Sequence, residues 1–115
     1  MRIVDRAGGT VCERCGIAES LVARTRGLLG RSSLDPDEGL LIRRTSSVHT
    51  HFMRFPIDVV FLDAEGAVLR IVHAMRPWRL AGCRGARDVV ELAAGTCDRI
   101  GLREGAHLSL LANQV

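Results

Sequence analysis

The chain has 115 residues and a formal net charge of +3, and only 3% of its residues are aromatic. This length suits one domain, residues 1–115, that buries roughly two thirds of its unfolded surface, and no apolar stretch reaches the roughly 18 residues that a membrane-spanning helix needs. All sixteen basic residues are Arg, and because they are spread along a chain with few aromatic residues, neither nucleic acid nor a membrane is expected as a partner.

The N-terminal part of the sequence predicts a β-hairpin followed by a helix. The hairpin runs from Arg2–Arg6 through a Gly-rich turn to a second strand over Thr10–Ala18. Ser20 is a typical helix N-cap and Gly30 a typical helix end, so the main helix is predicted over about residues 20–30.

A polar loop then leads to a short predicted strand, Gly39–Arg43, and to a stretch with strand-like alternation. In that stretch His49, His51, Met53 and Phe55 lie two residues apart, so an extended chain would place all four side chains on one face. The sequence therefore predicts a histidine pair on one face of a strand that the next proline ends.

The clearest predicted hairpin follows this proline. Residues 57–62 form its first strand, residues 63–66 a turn in which Gly66 supplies a positive φ, and residues 67–72 the antiparallel return strand. In residues 59–62 of the first strand both alternating sets of side chains are apolar, so both faces of this strand are expected to be buried.

The C-terminal part is predicted to contain a long loop, two strands and a short helix. The loop covers Arg76–Arg84, the strands Ala86–Leu92 and His107–Leu111, and the helix about residues 94–100. The expected fold is α+β and β-rich, a small curved antiparallel sheet or barrel-like domain with one main and one short helix.

Four segments of this chain resemble an uncharacterised bacterial and archaeal family, domain of unknown function 192. These segments are residues 48–63 (VHTHFMRFPIDVVFLD), 26–31 (RGLLGR), 90–95 (VELAAG) and 101–105 (GLREG). The resemblance spans about residues 18–110. It implies a compact, β-rich single domain with a helix, and it implies no established activity, substrate or cofactor.

The cysteines form one close pair, Cys12 and Cys15, while Cys83 and Cys97 lie far apart in the sequence. A structural zinc site needs two further ligands, and residues three apart in a regular strand point to opposite faces. We therefore expect no bound metal.

No signal peptide is visible, so the protein is predicted to be cytoplasmic with reduced thiols.

The histidine pair allows a structural and a functional interpretation. His49 and His51 either make hydrogen bonds to neighbouring strands or share a metal ion, for which His73, Asp58 or Glu91 would have to supply a third ligand. Simple alternation would let Glu91 face solvent.

A second candidate cluster surrounds the predicted strand junction at Arg54 and Asp58. Asp58 begins an apolar strand, so it needs a partner, either Arg26, Arg54 or a backbone N–H group. The cluster is either a structural ion pair or a polar pocket with Trp78 at its lip. The hypothetical ligand site consists of six residues, His49, His51, Arg54, Asp58, Arg26 and Trp78.

Two functions from different classes remain open on the sequence alone. One is a small non-enzymatic binding or interaction domain for a small anionic or polar ligand, without a cofactor. The other is a metal-assisted enzyme that uses His49 and His51 with an acidic residue. The sequence has no nucleophile–base pattern and no complete set of metal ligands, which favours the binding domain.

Overall fold

The computed structural model describes residues 1–20, 23 and 27–111, and these residues form ten β-strands and one short helix. Strands hold 47% of the residues and helix 6%, which confirms an α+β, β-rich domain. In chain order the strands are Arg2–Asp5 (β1), Thr10–Cys12 (β2), Arg14–Ala18 (β3), Glu38–Arg43 (β4), Ser47–His49 (β5), Ile57–Leu62 (β6), Val68–Met75 (β7), Leu80–Gly82 (β8), Asp88–Ala93 (β9) and Leu108–Leu111 (β10). Helix α1 spans Thr96–Ile100.

The largest sheet has five strands in the order β3-β4-β9-β6-β7. Its strands are antiparallel except for β3 and β4, which pair in parallel from Arg14 opposite Glu38 onwards. The predicted first hairpin is confirmed for β1 and β2, but its extension to Ala18 is wrong, because β3 leaves that hairpin. A parallel pair requires a long crossover, and about twenty residues separate β3 from β4.

The five-stranded sheet is covered on both faces. One face packs against the sheet β10-β1-β2 and α1. The other packs against an apolar layer that includes Leu28, Val48 and Met53. All six residues of β6 are buried, which confirms the prediction for this strand. The described sheets do not close into a barrel. Both faces of the open five-stranded sheet are buried because a layer packs on either side of it.

The predicted hairpin of residues 57–72 is confirmed as β6 and β7. Asp63 Oδ1 accepts hydrogen bonds from the N–H groups of Glu65 and Ala67, both at 2.9 Å, and so fixes the turn. Gly66 has a φ of 87°. A Cβ atom at Gly66 would also collide with the carbonyl oxygen of Leu108 on β10, so this position requires glycine for two reasons.

Three further predictions concern the remaining elements. The short helix predicted at about residues 94–100 is confirmed as α1. The long loop predicted at residues 76–84 is wrong in part, because it contains β8, which pairs with β5 in a separate two-stranded sheet. Most of the helix predicted at about residues 20–30 lies outside the described residues, but the Ala23 N–H donates to Ser20 Oγ at 3.0 Å, as an N-cap requires.

Within the described ranges, no helix has the length and apolar character needed to cross a membrane.

Candidate functional site

The chain bends sharply after β5 and does not form the strand predicted for residues 49–55. β5 ends at His49, and the Met53 N–H donates to the Thr50 carbonyl at 3.1 Å to close a turn. Phe52 adopts a left-handed backbone with a φ of 65°. Phe52 therefore points to solvent while Met53 enters the core, and the predicted single face for the four alternating side chains is wrong.

Thr50 joins this bend to the segment between β7 and β8. Its side chain is fully buried, and its hydroxyl donates to the Arg76 carbonyl at 2.6 Å and accepts from the Arg79 N–H at 2.9 Å. The Thr50 carbonyl also accepts a hydrogen bond from the Trp78 N–H at 3.0 Å. One buried residue thus holds two distant segments of the chain in a fixed relation.

The two joined segments present an exposed cluster that we call the aromatic surface, formed by His49, His51, Phe52, Trp78 and Leu80. The ring of His51 is stacked on Trp78 with a centroid distance of 5.5 Å, and Phe52 meets Trp78 edge-on at 4.6 Å. The exposed fractions of Phe52, Trp78 and Leu80 are 70%, 56% and 73%. Folding has therefore gathered large apolar side chains on the outside of a domain with a well-filled core.

Both aromatic residues of this surface have a left-handed backbone, with φ angles of 65° for Phe52 and 63° for Trp78. Bulky residues rarely adopt this conformation, which costs on the order of 1–3 kcal/mol per residue and often marks functional sites. Arg44 and Ala74 also have a left-handed backbone, and all four of these residues are exposed, so the strain lies at residues that contribute little to the core. It is therefore not explained by core packing.

Replacing Thr50 with Val should lower the free energy of unfolding by about 1–2 kcal/mol, because the shape is kept while the Arg79 N–H loses its acceptor. The loosened loop should also change the emission of Trp78, the only Trp in the chain. Chemical denaturation and emission spectra measure both effects. Thr45→Val is the matched control, since this half-exposed hydroxyl bonds only within its own loop. Equal losses in the two variants would contradict the locking role of Thr50.

The two segments that form the aromatic surface are strongly positive. Residues 44–57 and 74–87 contain no Asp or Glu and six of the sixteen Arg, all exposed: Arg44, Arg54, Arg76, Arg79, Arg84 and Arg87. The rest of the chain has ten Arg and thirteen acidic residues and is therefore net negative. The small overall charge conceals a polarised distribution, and the Arg are not as evenly scattered as the sequence suggested.

Asp58 lies in the interior, away from Arg54. The strand β7 carries one extra residue opposite Asp58. The Asp58 carboxylate accepts from the N–H of Ala74 at 2.8 Å in this bulge, and from those of Gly95 at 3.2 Å and Cys97 at 2.9 Å beside α1. The predicted partner that Asp58 has is therefore a set of backbone N–H groups. Among the described residues, Arg54 makes no hydrogen bond to Asp58.

The predicted site residues therefore separate into two groups. His49, His51 and Trp78 come together, and Arg54 is exposed near them in sequence. Asp58 is buried, and Arg26 lies outside the described residues. The binding of a ligand by these residues stays a prediction, now centred on the first group.

Glu91 is a buried acidic residue, although simple alternation would let it face solvent. Its exposed fraction is 4%, and its neighbours in the sheet, Leu40 on β4 and Val59 on β6, are apolar. Burial raises the pKa of the Glu91 carboxyl to about 7. The expectation that Glu91 faces solvent is wrong, because β9 is central in a sheet covered on both faces.

The four cysteines are free thiols. The interaction between the neighbouring thiols lowers the pKa of Cys12 and, together with burial, raises that of Cys15. Burial raises the pKa of Cys97 to about 12. Across the described part of the chain, no three His, Cys, Asp or Glu side chains lie close enough together to hold a metal ion.

An open cleft of about 530 Å³ lies between β7 and α1, on another part of the molecule. In this cleft His73 Nδ1 lies 3.6 Å from Asp98 Oδ1. His73 was considered as a third metal ligand for the pair His49 and His51, but its contact is with Asp98. The cleft is therefore distinct from the aromatic surface.

The fold and these contacts define a small β-rich α+β domain with an exposed aromatic and histidine surface. The chain belongs to the family DUF192, described as "Uncharacterized ACR", whose model matches residues 3–110.

Similar proteins are known from archaea and bacteria. A UPF0127 protein of Thermococcus sibiricus is 32% identical over 112 residues, which cover 90% of this chain and 70% of the relative. A UPF0127 protein of Pyrococcus abyssi is 31% identical over 86 residues, 69% of this chain and 70% of the relative. These relatives carry no activity in their names.

Two crystal structures have a similar fold. A protein of unknown function from Novosphingobium aromaticivorans has a TM-score of 0.86 with 19% identity, over 96% of this chain and 84% of that one. A protein from Sinorhizobium meliloti described as a candidate transcription regulator has a TM-score of 0.82 with 25% identity, over 94% and 89% of the two chains. The first likeness concerns the fold alone.

Proposed function

We propose that this protein is a small non-enzymatic binding domain whose ligand lies on the aromatic surface. The observation that carries the proposal is that Phe52 and Trp78 are both exposed and both held in a left-handed backbone. Fixed aromatic side chains bind with little loss of conformational entropy, which makes such a surface suitable for recognition.

The chemistry of the surface supports a ligand that has both an apolar part and an anionic group. Phe52 and Trp78 offer ring faces and edges for apolar contact, and the nearby Arg54 and Arg79 offer guanidinium groups to carboxylate, sulfonate or phosphate. Binding of this type requires no cofactor, and we expect none. Free thiols are compatible with the reducing cytoplasm, which we retain as the proposed location.

The single Trp makes a direct test possible. The chain has one Trp and no Tyr, so its intrinsic emission comes from Trp78 on the proposed site. Anilinonaphthalene sulfonate combines planar apolar rings with one anionic group and accepts energy from Trp. We expect it to bind the native protein saturably, with quenching of Trp78 emission.

Variants locate the dye on the protein. Phe52→Ser combined with Leu80→Ser should weaken dye binding about tenfold, because both side chains are exposed and removable without loss of core. Ile17→Ser removes an apolar side chain that is 47% exposed on β3 and should leave the affinity unchanged. Equal weakening by both changes, or dye binding only in the unfolding transition, would refute the proposed function.

A further inference from the structure

The aromatic surface has a charge environment that selects for an acidic partner. The two segments that form it carry six Arg without one Asp or Glu, while the rest of the chain is net negative. Charge complementarity of this kind steers association and rejects partners of the wrong sign. A partner that covers this surface must therefore bring negative charge.

The apolar part of the surface points to a protein as the source of that charge. Phe52, Trp78 and Leu80 together form an exposed apolar group, and such patches mark interaction sites. Leu80 is the most exposed of the three, and its aliphatic side chain has no ring face on which a nucleobase can stack. Trp and Arg are the residues most enriched where binding energy concentrates in protein interfaces.

The rigidity of the surface separates a protein partner from a lipid bilayer. Insertion into a fluid membrane interface depends on apolar area and charge, and it needs no defined positions of individual rings. Here the ring positions are defined by stacking and edge contacts with Trp78, and the backbone is held by Thr50. A preorganised surface of this kind favours a partner with side chains at fixed spacing.

We infer that the aromatic surface docks an acidic segment of another protein, with apolar side chains against Phe52, Trp78 and Leu80 and carboxylates on Arg76 and Arg79, whose backbones are bonded to Thr50 beside this surface. This inference rests on the proposed function and names its partner class. Since the partner sequence is unknown, the probe is a short dye-labelled peptide built from Glu, Asp, Leu and Phe, which supplies both the carboxylates and the apolar anchors of such a segment.

Binding of this peptide to the full chain is measured by fluorescence anisotropy. We expect saturable binding that weakens with added salt, and a loss of about tenfold in affinity when every apolar residue of the peptide is replaced by Ser. The double variant Arg76→Glu and Arg79→Glu should weaken binding by tenfold or more. Its control, Arg2→Glu with Arg103→Glu, makes the same change of net charge at exposed Arg outside the two segments and should cost less than about threefold.

The affinities for a lipid membrane and for nucleic acid are measured in parallel with the affinity for the peptide. Tighter binding of vesicles of phosphatidylserine and phosphatidylcholine, or of an oligothymidylate strand, than of the peptide would overturn the inference in favour of that class. Equal effects of the two Arg double variants would also overturn it. If the sulfonate dye binds the aromatic surface and the peptide does not, the binding function stands and only the acidic protein partner is refuted. If the dye does not bind there either, both fall.

Discussion

Replacing Asp58 with Ala should lower the free energy of unfolding by about 3–5 kcal/mol, a large part of the roughly 5–15 kcal/mol that stabilises a typical domain. The carboxylate accepts three backbone hydrogen bonds, from Ala74, Gly95 and Cys97. In the variant these N–H groups lose their acceptor. The hydrogen bond from Cys97 is buried and the other two are partly buried, and an unsatisfied buried donor costs about 1–3 kcal/mol.

The loss follows from the way in which Asp58 connects two irregular features. The extra residue in β7 places the N–H of Ala74 outside the regular ladder, and the left-handed φ of Ala74, 46°, belongs to this bulge. The same carboxylate reaches the segment that begins α1. Without the Asp58 carboxylate, the N–H groups of the bulge and of the start of the helix lose their acceptor.

Urea unfolding followed by circular dichroism measures the change. Asp98→Ala is the matched control, because the Asp98 side chain is 83% exposed and its contact with His73 lies at the surface. We expect this control to change the free energy by less than about 1 kcal/mol. Asp58→Asn keeps one acceptor oxygen and should lie between the two. A fully stable Asp58→Ala variant would show that other groups accept these hydrogen bonds.

The sequence predicts the elements that depend on local patterns. The hairpin of β6 and β7 follows from two apolar runs around Asp63 and Gly66, and these two residues do fix the turn. The short helix α1 is followed by Gly101, whose left-handed backbone is typical of a glycine that ends a helix.

The candidate site depends on contacts between residues far apart in the chain. The bend after His49 is fixed by the hydroxyl of Thr50, whose partners Arg76 and Arg79 lie 26 and 29 positions further on. Alternation of residue types cannot show a reversal of the backbone that such a partner imposes, so the predicted strand is wrong beyond His49, where β5 ends. The three residues of β8 likewise form a strand only because β5 lies beside them.

The burial of Glu91 is also a long-range property. In an antiparallel sheet with one solvated face, alternation would place Glu91 in water. The five-stranded sheet has two covered faces, and β9 lies at its centre. Both neighbours of Glu91 in the chain are apolar, and this alternation does not reveal whether the face that carries Glu91 is covered.

Glu91 should therefore make the stability of the protein depend on pH. Burial raises the pKa of its carboxyl from 4.5 to about 7, so between these values the native state binds a proton that the unfolded chain has released. The stability contributed by the protonated carboxyl is fully present below about pH 4.5 and is lost as the pH rises to about 7. At about 1.4 kcal/mol per pKa unit, the total loss is about 3 kcal/mol.

Replacing Glu91 with Gln should remove this loss, because the amide resembles the protonated carboxyl in shape and carries no charge. At about pH 8 the variant should be more stable than the wild type by about 2–3 kcal/mol, and at about pH 5 the difference should fall below about 1 kcal/mol. Urea unfolding across this pH range gives both curves, and their difference isolates Glu91 from the other titrating groups.

Glu65→Gln, in the exposed turn between β6 and β7, is the control and should leave the curve of stability against pH parallel to that of the wild type. A parallel curve for Glu91→Gln as well would mean that the buried carboxylate is stabilised in its charged form by a partner, and that Glu91 does not control the pH dependence of the fold.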